Sequence, residues 1–222
     1  MKINKVKCCV LLSGGIDSTT ATYWALNRSF ETEAIYFSLG ESKPERGLEC
    51  SMKVADKTGI RLHVLKVPLT QEGYLSLLPL NRLTQDEKRN GCGASVFASL
   101  VMWLTLGAGF CEKENIRRLV LGLNLNNVKK FKGITREFFG RYEDLFEGWM
   151  GRRVEIVTPF LGSSKAEVLQ LGFDLGVPFT LTWSCRANGV KPCGRCRECK
   201  ERRDAFRQLR RVDPLRTFQL ER

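Results

Sequence analysis

One segment most constrains how this 222-residue chain can fold: Ser13-Gly14-Gly15-Ile16-Asp17-Ser18. It follows an apolar run that predicts a buried strand over residues 7–12. It precedes apolar residues at helical spacing, which predict a helix over residues 18–27. Two glycines let the backbone approach a ligand closely, and the N–H groups at the start of a helix attract negative charge. The segment therefore predicts an anion site, with a tight Gly-Gly turn and a capping serine as the simpler alternative.

The side chains of this segment suit the phosphates of a nucleotide. Ser13 and Ser18 offer hydroxyl donors, and the Asp17 carboxylate could hold Mg²⁺ on the phosphates. The segment is not a Walker A loop, because no Gly-Lys-Ser/Thr follows it. It is similar instead to the pyrophosphate loop of the ATP-pyrophosphatase superfamily, whose members adenylate a substrate and release pyrophosphate.

Short apolar runs alternate with longer periodic segments along the chain, which predicts βαβ units and a parallel sheet. The predicted strands are residues 7–12, 33–38, 61–67, 118–123 and 154–158, and the predicted helices are residues 18–27, 46–58, 94–111, 136–150 and 163–175. We therefore expect a Rossmann-like, doubly wound α/β fold with five parallel strands. The loops after the first, second, fourth and fifth strands should face one pocket, because ligands bind at the carboxyl ends of such strands.

Four of the nine cysteines lie near the C-terminus, with the spacing Cys185-x7-Cys193-x2-Cys196-x2-Cys199. Two-residue gaps let neighbouring thiolates bind one ion, and the longer loop returns a fourth ligand. A structural zinc ion is the favoured interpretation, an iron–sulfur cluster is the main alternative, and a redox dithiol is less favoured. Such a zinc ion would attach the tail to the sheet and shape the pocket wall. Seven basic residues would offset the charge of the tetrathiolate: Arg186, Lys191, Arg195, Arg197, Lys200, Arg202 and Arg203.

The other cysteines and the single histidine are interpreted mainly as structural residues. Three cysteines are predicted to be small core residues: Cys8, Cys9 and Cys111. Cys50 and Cys92 lie beside suspected site loops, where a catalytic role is the minority interpretation. His63 falls in a predicted strand, so we expect no acid–base role for it.

Composition restricts the location and the partners of the chain. Hydrophobic residues make up 43% and charged residues 27% of it, which is typical of soluble globular proteins. No run approaches the ~18 apolar residues of a membrane span, and no signal peptide is recognisable, so we expect a cytoplasmic location. The formal net charge of +12 could attract nucleotides, an acidic substrate or RNA. RNA is the less favoured of these partners.

Two motifs occur together: residues 13–20, and Thr182-Trp183-Ser184-Cys185 followed by Cys193-Gly194-x-Cys196-x2-Cys199-x2-Arg202-x3-Phe206. Thr158-Pro159, Lys165-Ala166-Glu167 and Leu175-Gly176-Val177-Pro178 accompany them. In this combination the chain resembles the 7-cyano-7-deazaguanine synthase family, the nitrile-forming enzymes of queuosine and archaeosine biosynthesis. The resemblance extends over nearly the whole chain.

This resemblance implies an ATP-dependent ligase that converts 7-carboxy-7-deazaguanine and ammonia to the nitrile. The carboxylate would attack the α-phosphate of ATP, ammonia would displace AMP, and a second ATP would drive dehydration. The residues expected to bind ATP with Mg²⁺ are Ser13, Gly14, Gly15, Ile16, Asp17 and Ser18. Ser13, Asp17 and Lys165 are expected to be catalytic, with Lys165 as a cation on the transferring phosphates. An ordinary solvated helix lysine is the alternative for Lys165.

Three segments depart from the family pattern. Residues 40–46 lack a Gln-Arg-His-like patch, residues 89–93 lack Pro-Gly-Arg-Asn, and residues 127–133 lack an acidic residue and Tyr-Pro-Asp. The lost acidic groups leave the identity of the acid substrate open. The sequence also leaves open the ammonia source and a homodimeric state. A tRNA-modifying enzyme such as a thiolase is one alternative function, and a paralogous ATP-binding partner protein is another.

The change of pattern near residue 180 predicts two parts of the chain. We expect an ATP-pyrophosphatase domain over residues 1–180. A four-cysteine zinc module and a basic helix would follow over residues 181–222 and pack on the same domain.

Overall fold

The computed structural model describes residues 6–38, 45–67, 93–130, 133–187 and 189–215, in which five strands form one sheet. The strands are β1 (Lys7–Leu11), β2 (Glu31–Ser38), β3 (Arg61–Lys66), β4 (Arg118–Val120) and β5 (Glu155–Val157). Their order is β3-β2-β1-β4-β5, and every neighbouring pair is parallel. The order reverses between β1 and β4, where open α/β sheets form a binding cleft. The predicted α/β fold is confirmed.

Helices connect the strands and cover the sheet. In the described ranges they are α1 (Ile16–Asn27), α2 (Arg46–Thr58), α3 (Gly93–Lys113), α4 (Leu125–Lys130), α5 (Arg136–Met150), α6 (Lys165–Asp174) and α7 (Arg197–Gln208), with a 3-10 turn at Phe179–Leu181. The five predicted strands and five predicted helices are all present. The sequence pattern missed α4, because six mostly polar residues show no apolar period. Within the described ranges, no helix has both the length and the apolar character needed to cross a membrane.

Side chains along β1 alternate between the two faces of the sheet, and different helices cover each face. Cys8 and Val10 pack against residues of α1 and α6, whereas Cys9 packs against residues of α3 and α5. All three predicted core cysteines are completely buried. Burial raises the pKa of the Cys8 thiol to about 11, which keeps it neutral and apolar in the core. The prediction of small core cysteines is confirmed.

The C-terminal helix α7 packs on the same core as the start of α1. Ala205 and Phe206 of α7 share a buried cluster with Leu169 of α6 and Ile16 of α1. The rings of Phe206 and Phe179 meet edge to face, with centroids 5.9 Å apart. Hydrophobic burial thus holds residues from both sides of position 180 together. The domain boundary at that position stays a prediction.

A buried arginine anchors α7 to the segment before the cysteines. Arg202 donates to both carboxylate oxygens of Asp213, at 2.7 and 2.9 Å, to Thr182 Oγ1 at 2.8 Å and to the Phe179 carbonyl at 3.2 Å. The side chains of Arg202 and Asp213 are only 1% and 8% exposed. The expectation that Arg202 offsets thiolate charge is therefore wrong, because its counter-ion is Asp213.

Replacing Arg202 by methionine should lower the free energy of unfolding by roughly 3–5 kcal/mol, because the Asp213 carboxylate would stay buried without its partner. Urea denaturation followed by circular dichroism measures the loss. Arg141→Met is the control, since the Arg141–Glu137 pair is exposed and such pairs contribute about 0.5 kcal/mol or less. Equal losses in the two variants would contradict an anchoring role for Arg202.

Candidate functional site

A cavity of about 430 Å³ lies where β1 and β4 end. Ser13 from the loop after β1, Asn127 from the segment after β4 and Lys165 from the segment after β5 all line it. Three of the four loops predicted to share a pocket therefore meet there. Most of the loop after β2, residues 39–44, lies outside the described residues, as do residues 89–92 and 131–132 of the other divergent segments.

Glycines allow the loop after β1 to fit between two neighbouring segments. Gly14 has a φ of +73°, and a Cβ there would lie 2.3 Å from the Gly47 carbonyl oxygen at the start of α2. A Cβ at Gly122 would lie 2.5 Å from the Asp17 carbonyl oxygen. Larger residues would therefore displace the loop at both positions. By contrast, a Cβ at Gly15 would meet no atom closer than 3.6 Å, so this glycine leaves space on the cavity side.

Ser18 stabilises the turn, and the backbone of α1 is suited to bind an anion. The Ser18 hydroxyl accepts a hydrogen bond from the Ser13 N–H at 3.1 Å and lies 3.0 Å from Ser13 Oγ. The side chain of Ile16 is completely buried, so Ile16 offers a ligand only its N–H group. No side chain caps α1. Its first-turn N–H groups lack intrahelical partners and can point at a phosphate.

An ion pair joins the loop to α6 at the edge of the cavity. Lys165 Nζ lies 2.5 Å from Asp17 Oδ2, and these side chains are 14% and 20% exposed. Lys165 is the first residue of α6, which Ser164 and Glu167 cap reciprocally. The other carboxylate oxygen, Asp17 Oδ1, is buried and has no hydrogen-bond partner among the described residues. An oxygen of this kind suits a hard divalent cation, while Lys165 supplies positive charge beside it.

The four clustered cysteines converge as a metal site requires. Their Sγ atoms all lie within 4.8 Å of one another. The Cys193 N–H donates to Cys185 Sγ at 3.2 Å, and the Cys196 N–H donates to Cys193 Sγ at 3.4 Å. Backbone donors lower the pKa of Cys193 to about 6, whereas burial raises the pKa of Cys185 and Cys199. Four thiols at this separation can close around one ion.

The segment before the cysteines connects this cluster to the loop after β1. The Trp183 N–H donates to the Gly14 carbonyl at 2.7 Å, and Thr182 is bonded to the buried Arg202. Trp183 and Ser184 line the cavity, and so does Glu198 from α7. Sequence reasoning recognised Trp183 and Ser184 only as parts of a motif, and it did not single out Glu198. The one available signal was its position between two metal-spaced cysteines.

The remaining candidates for chemistry are less suited to it. His63 Nε2 lies 2.5 Å from Glu33 Oε2, and the imidazole packs against Phe110, so its contacts are structural. Cys50 is half-buried, and burial raises the pKa of its thiol, which disfavours a thiolate. Cys92 lies outside the described residues.

We predict that the purified protein binds one metal ion per chain and that Cys196→Ser lowers this stoichiometry, because three thiolates close a tetrahedral site poorly. Inductively coupled plasma mass spectrometry measures the content and separates zinc from iron. Cys50→Ser is the control, since Cys50 is outside the cluster. Metal-free wild-type protein that is fully folded would contradict the prediction.

The sequence and the fold were compared with those of known proteins. The family model for "Queuosine biosynthesis protein QueC" matches residues 7–210. A 7-cyano-7-deazaguanine synthase from Trichodesmium erythraeum is 33% identical in an alignment 222 positions long. The alignment covers 95% of this chain and all of that protein.

Solved structures with the same fold have different activities. An NMN synthetase from Francisella tularensis is 16% identical, with a TM-score of 0.54, and the match covers 97% of this chain and 81% of that one. A 4-thiouridine synthetase in complex with RNA and ATP is 18% identical, with a TM-score of 0.55 and coverages of 98% and 54%. At these identities the likeness shows the fold alone.

Proposed function

Because the chain belongs to the queuosine biosynthesis protein QueC family, we propose that it is an ATP-dependent ligase that forms 7-cyano-7-deazaguanine from 7-carboxy-7-deazaguanine and ammonia. Relatives that align over nearly their full length carry the name of this synthase, which supports the product. The observation that carries the ATP-dependent part is the Lys165–Asp17 pair beside an uncapped helix start, in one cavity.

In the first step, the substrate carboxylate attacks the α-phosphorus of ATP and pyrophosphate leaves, which gives an acyl-adenylate. A carboxylate is a poor electrophile, so the adenylate supplies the leaving group that it lacks. The N–H groups at the start of α1 and the Lys165 ammonium face the phosphates, and their charge stabilises the negative charge that develops on pyrophosphate. Ser13 adds a hydroxyl donor on the same side.

In the second step, the ammonia nitrogen attacks the acyl carbon, AMP leaves, and the nitrogen loses a proton to give the amide. The amide oxygen then attacks the α-phosphorus of a second ATP, and pyrophosphate leaves again. Loss of AMP and of the remaining N–H protons completes the nitrile. Both ATP molecules thus serve the same purpose, which is to turn a substrate oxygen into a leaving group. One phosphate loop can therefore serve both adenylations.

The two metal ions have distinct sites in this proposal. Asp17 Oδ1, which is buried without a partner in the described part of the chain, fits Mg²⁺. When bound there, Mg²⁺ would offset phosphate charge. The four cysteines fit Zn²⁺, which would hold the segment from 185 to 199 as a structural ion with no open position.

A smaller cavity beside the loop suits the adenine ring. It measures about 180 Å³. Besides Ser13, its lining includes the apolar and aromatic side chains of Ile35, Tyr36, Phe37 and Trp103. Phe37 and Trp103 stack with centroids 4.8 Å apart, which gives a flat apolar surface. Adenine in this smaller cavity would leave the larger cavity for the phosphates and the acid substrate.

Several further features belong to the same proposal. ATP and ammonia as co-substrates agree with a cytoplasmic location. We keep the division of the chain into a domain of residues 1–180 and a module of residues 181–222, with a homodimeric state left open.

A thiolase would require a sulfur-carrying cysteine, and burial of Cys50 does not favour one there. RNA is therefore not a favoured partner.

The direct test is incubation with MgATP, ammonium and 7-carboxy-7-deazaguanine, followed by mass spectrometry of the product and assay of AMP and pyrophosphate. We expect the nitrile and two AMP per nitrile. Zinc-loaded, folded protein that releases no pyrophosphate would overturn the assignment. Turnover that depended on added tRNA would favour the thiolase alternative, and ATP binding without turnover would favour the partner-protein alternative.

Lys165→Met should lower pyrophosphate release at saturating substrates about 100-fold or more, because a charged donor to the transition state contributes about 2.7–4 kcal/mol. The amide-forming and nitrile-forming steps should slow together, since both begin with adenylation. Lys57→Met, at an exposed position in the last turn of α2, is the control. A solvated, non-catalytic Lys165 would instead leave the rate of its variant close to that of the control.

A further inference from the structure

The carboxylates that line the described part of the larger cavity differ in how they are paired. Asp17 faces Lys165. Glu201 lies 2.7 Å from Arg197 Nε, one helical turn away. Glu198 accepts a hydrogen bond from Arg186 Nε on Oε1, at 2.8 Å. Its second oxygen, Oε2, is buried and has no hydrogen-bond partner in the described ranges.

Two other residues that line the cavity also carry a buried polar atom without a partner in the described ranges. Trp183 Nε1 and Ser184 Oγ also line this cavity, are buried, and have no partner among the residues described. A buried polar atom without a partner is costly, because it has lost its hydrogen bonds to water. An indole N–H donor, a carboxylate acceptor and a hydroxyl that can do either, all from residues lining one cavity, therefore suit a ligand with a complementary polar edge.

Two asparagines after β4, Asn124 and Asn127, already use their side-chain oxygens in hydrogen bonds within the chain. Asn124 Oδ1 accepts from the Asn126 N–H at 2.9 Å, and Asn127 Oδ1 accepts from the Asn124 N–H at 2.9 Å. These carboxamide oxygens hold the turn into α4. The side-chain oxygens of Asn124 and Asn127 thus offer little to a ring N–H donor, and the described part of this segment has no acidic residue.

We propose that Glu198 is a specificity-determining residue, whose carboxylate accepts hydrogen bonds from the ring N–H and the exocyclic amine of the deazaguanine substrate. This inference rests on the proposed function. Those two groups are adjacent donors, and a carboxylate is a strong acceptor for such a pair. The Trp183 indole N–H can donate to the ring carbonyl on the same edge. The Arg186 contact and the helix start at Arg197 hold Glu198 in place.

Glu198→Gln tests the proposal in steady-state kinetics with MgATP and ammonium. The KM for 7-carboxy-7-deazaguanine should rise roughly 10- to 100-fold, the loss expected for a hydrogen bond to a charged group, while the KM for ATP stays unchanged. Asp204→Asn, an exposed change on the same helix, is the control. Metal content and thermal unfolding are measured for both variants, because Glu198 lies between Cys196 and Cys199.

A second substrate gives a readout that a purely structural role would not change. The analogue without the exocyclic amine, 7-carboxy-7-deazahypoxanthine, should bind the wild-type protein at least 10-fold more weakly than the guanine-type acid. Glu198→Gln should reduce this discrimination. Equal binding of the two acids by the wild type, or undiminished discrimination by the variant, would overturn the role of Glu198. A wild type that binds neither acid would overturn the proposed function itself.

Discussion

The backbone N–H of Trp183 donates a hydrogen bond, 2.7 Å long, to the Gly14 carbonyl and so connects the cysteine segment to the loop after β1. Gly14 can present that carbonyl only because its φ of +73° turns the loop past the start of α2. Thr182 is held in turn by Arg202, which is bonded to Asp213 in the core. The position of the loop after β1 is therefore coupled to the packing of α7.

Buried polar atoms without a hydrogen-bond partner occur both at the cavity and elsewhere in the described ranges. Away from the cavity, the buried guanidinium of Arg202 is fully engaged. At the cavity, Asp17 Oδ1, Trp183 Nε1 and Glu198 Oε2 lack partners in the described ranges. Since an unpaired buried group destabilises the fold, such groups are expected where a ligand completes them.

Local patterns predicted most of the fold because each strand and helix of a βαβ unit carries its own periodicity. The strand–glycine–helix order around Gly14, and the cysteine spacing from Cys185 onwards, each depend on residues close in sequence. The proximity of Asp17 and Lys165 could be predicted with one additional rule, that the carboxyl ends of parallel strands lie at one edge of the sheet. The partner of Arg202 could not be found in this way, because Asp213 is one of many acidic residues with no local signal.

The sequence by itself determined the order of the elements, the glycine-containing turn after β1 and the metal-spaced cysteines, since turn geometry and ligand spacing are local properties. Only the tertiary structure decided that Glu198 shares a cavity with Ser13, and that the Arg202 charge is neutralised by Asp213. These contacts join segments far apart in the chain. Their energies depend on burial, which no single segment can specify.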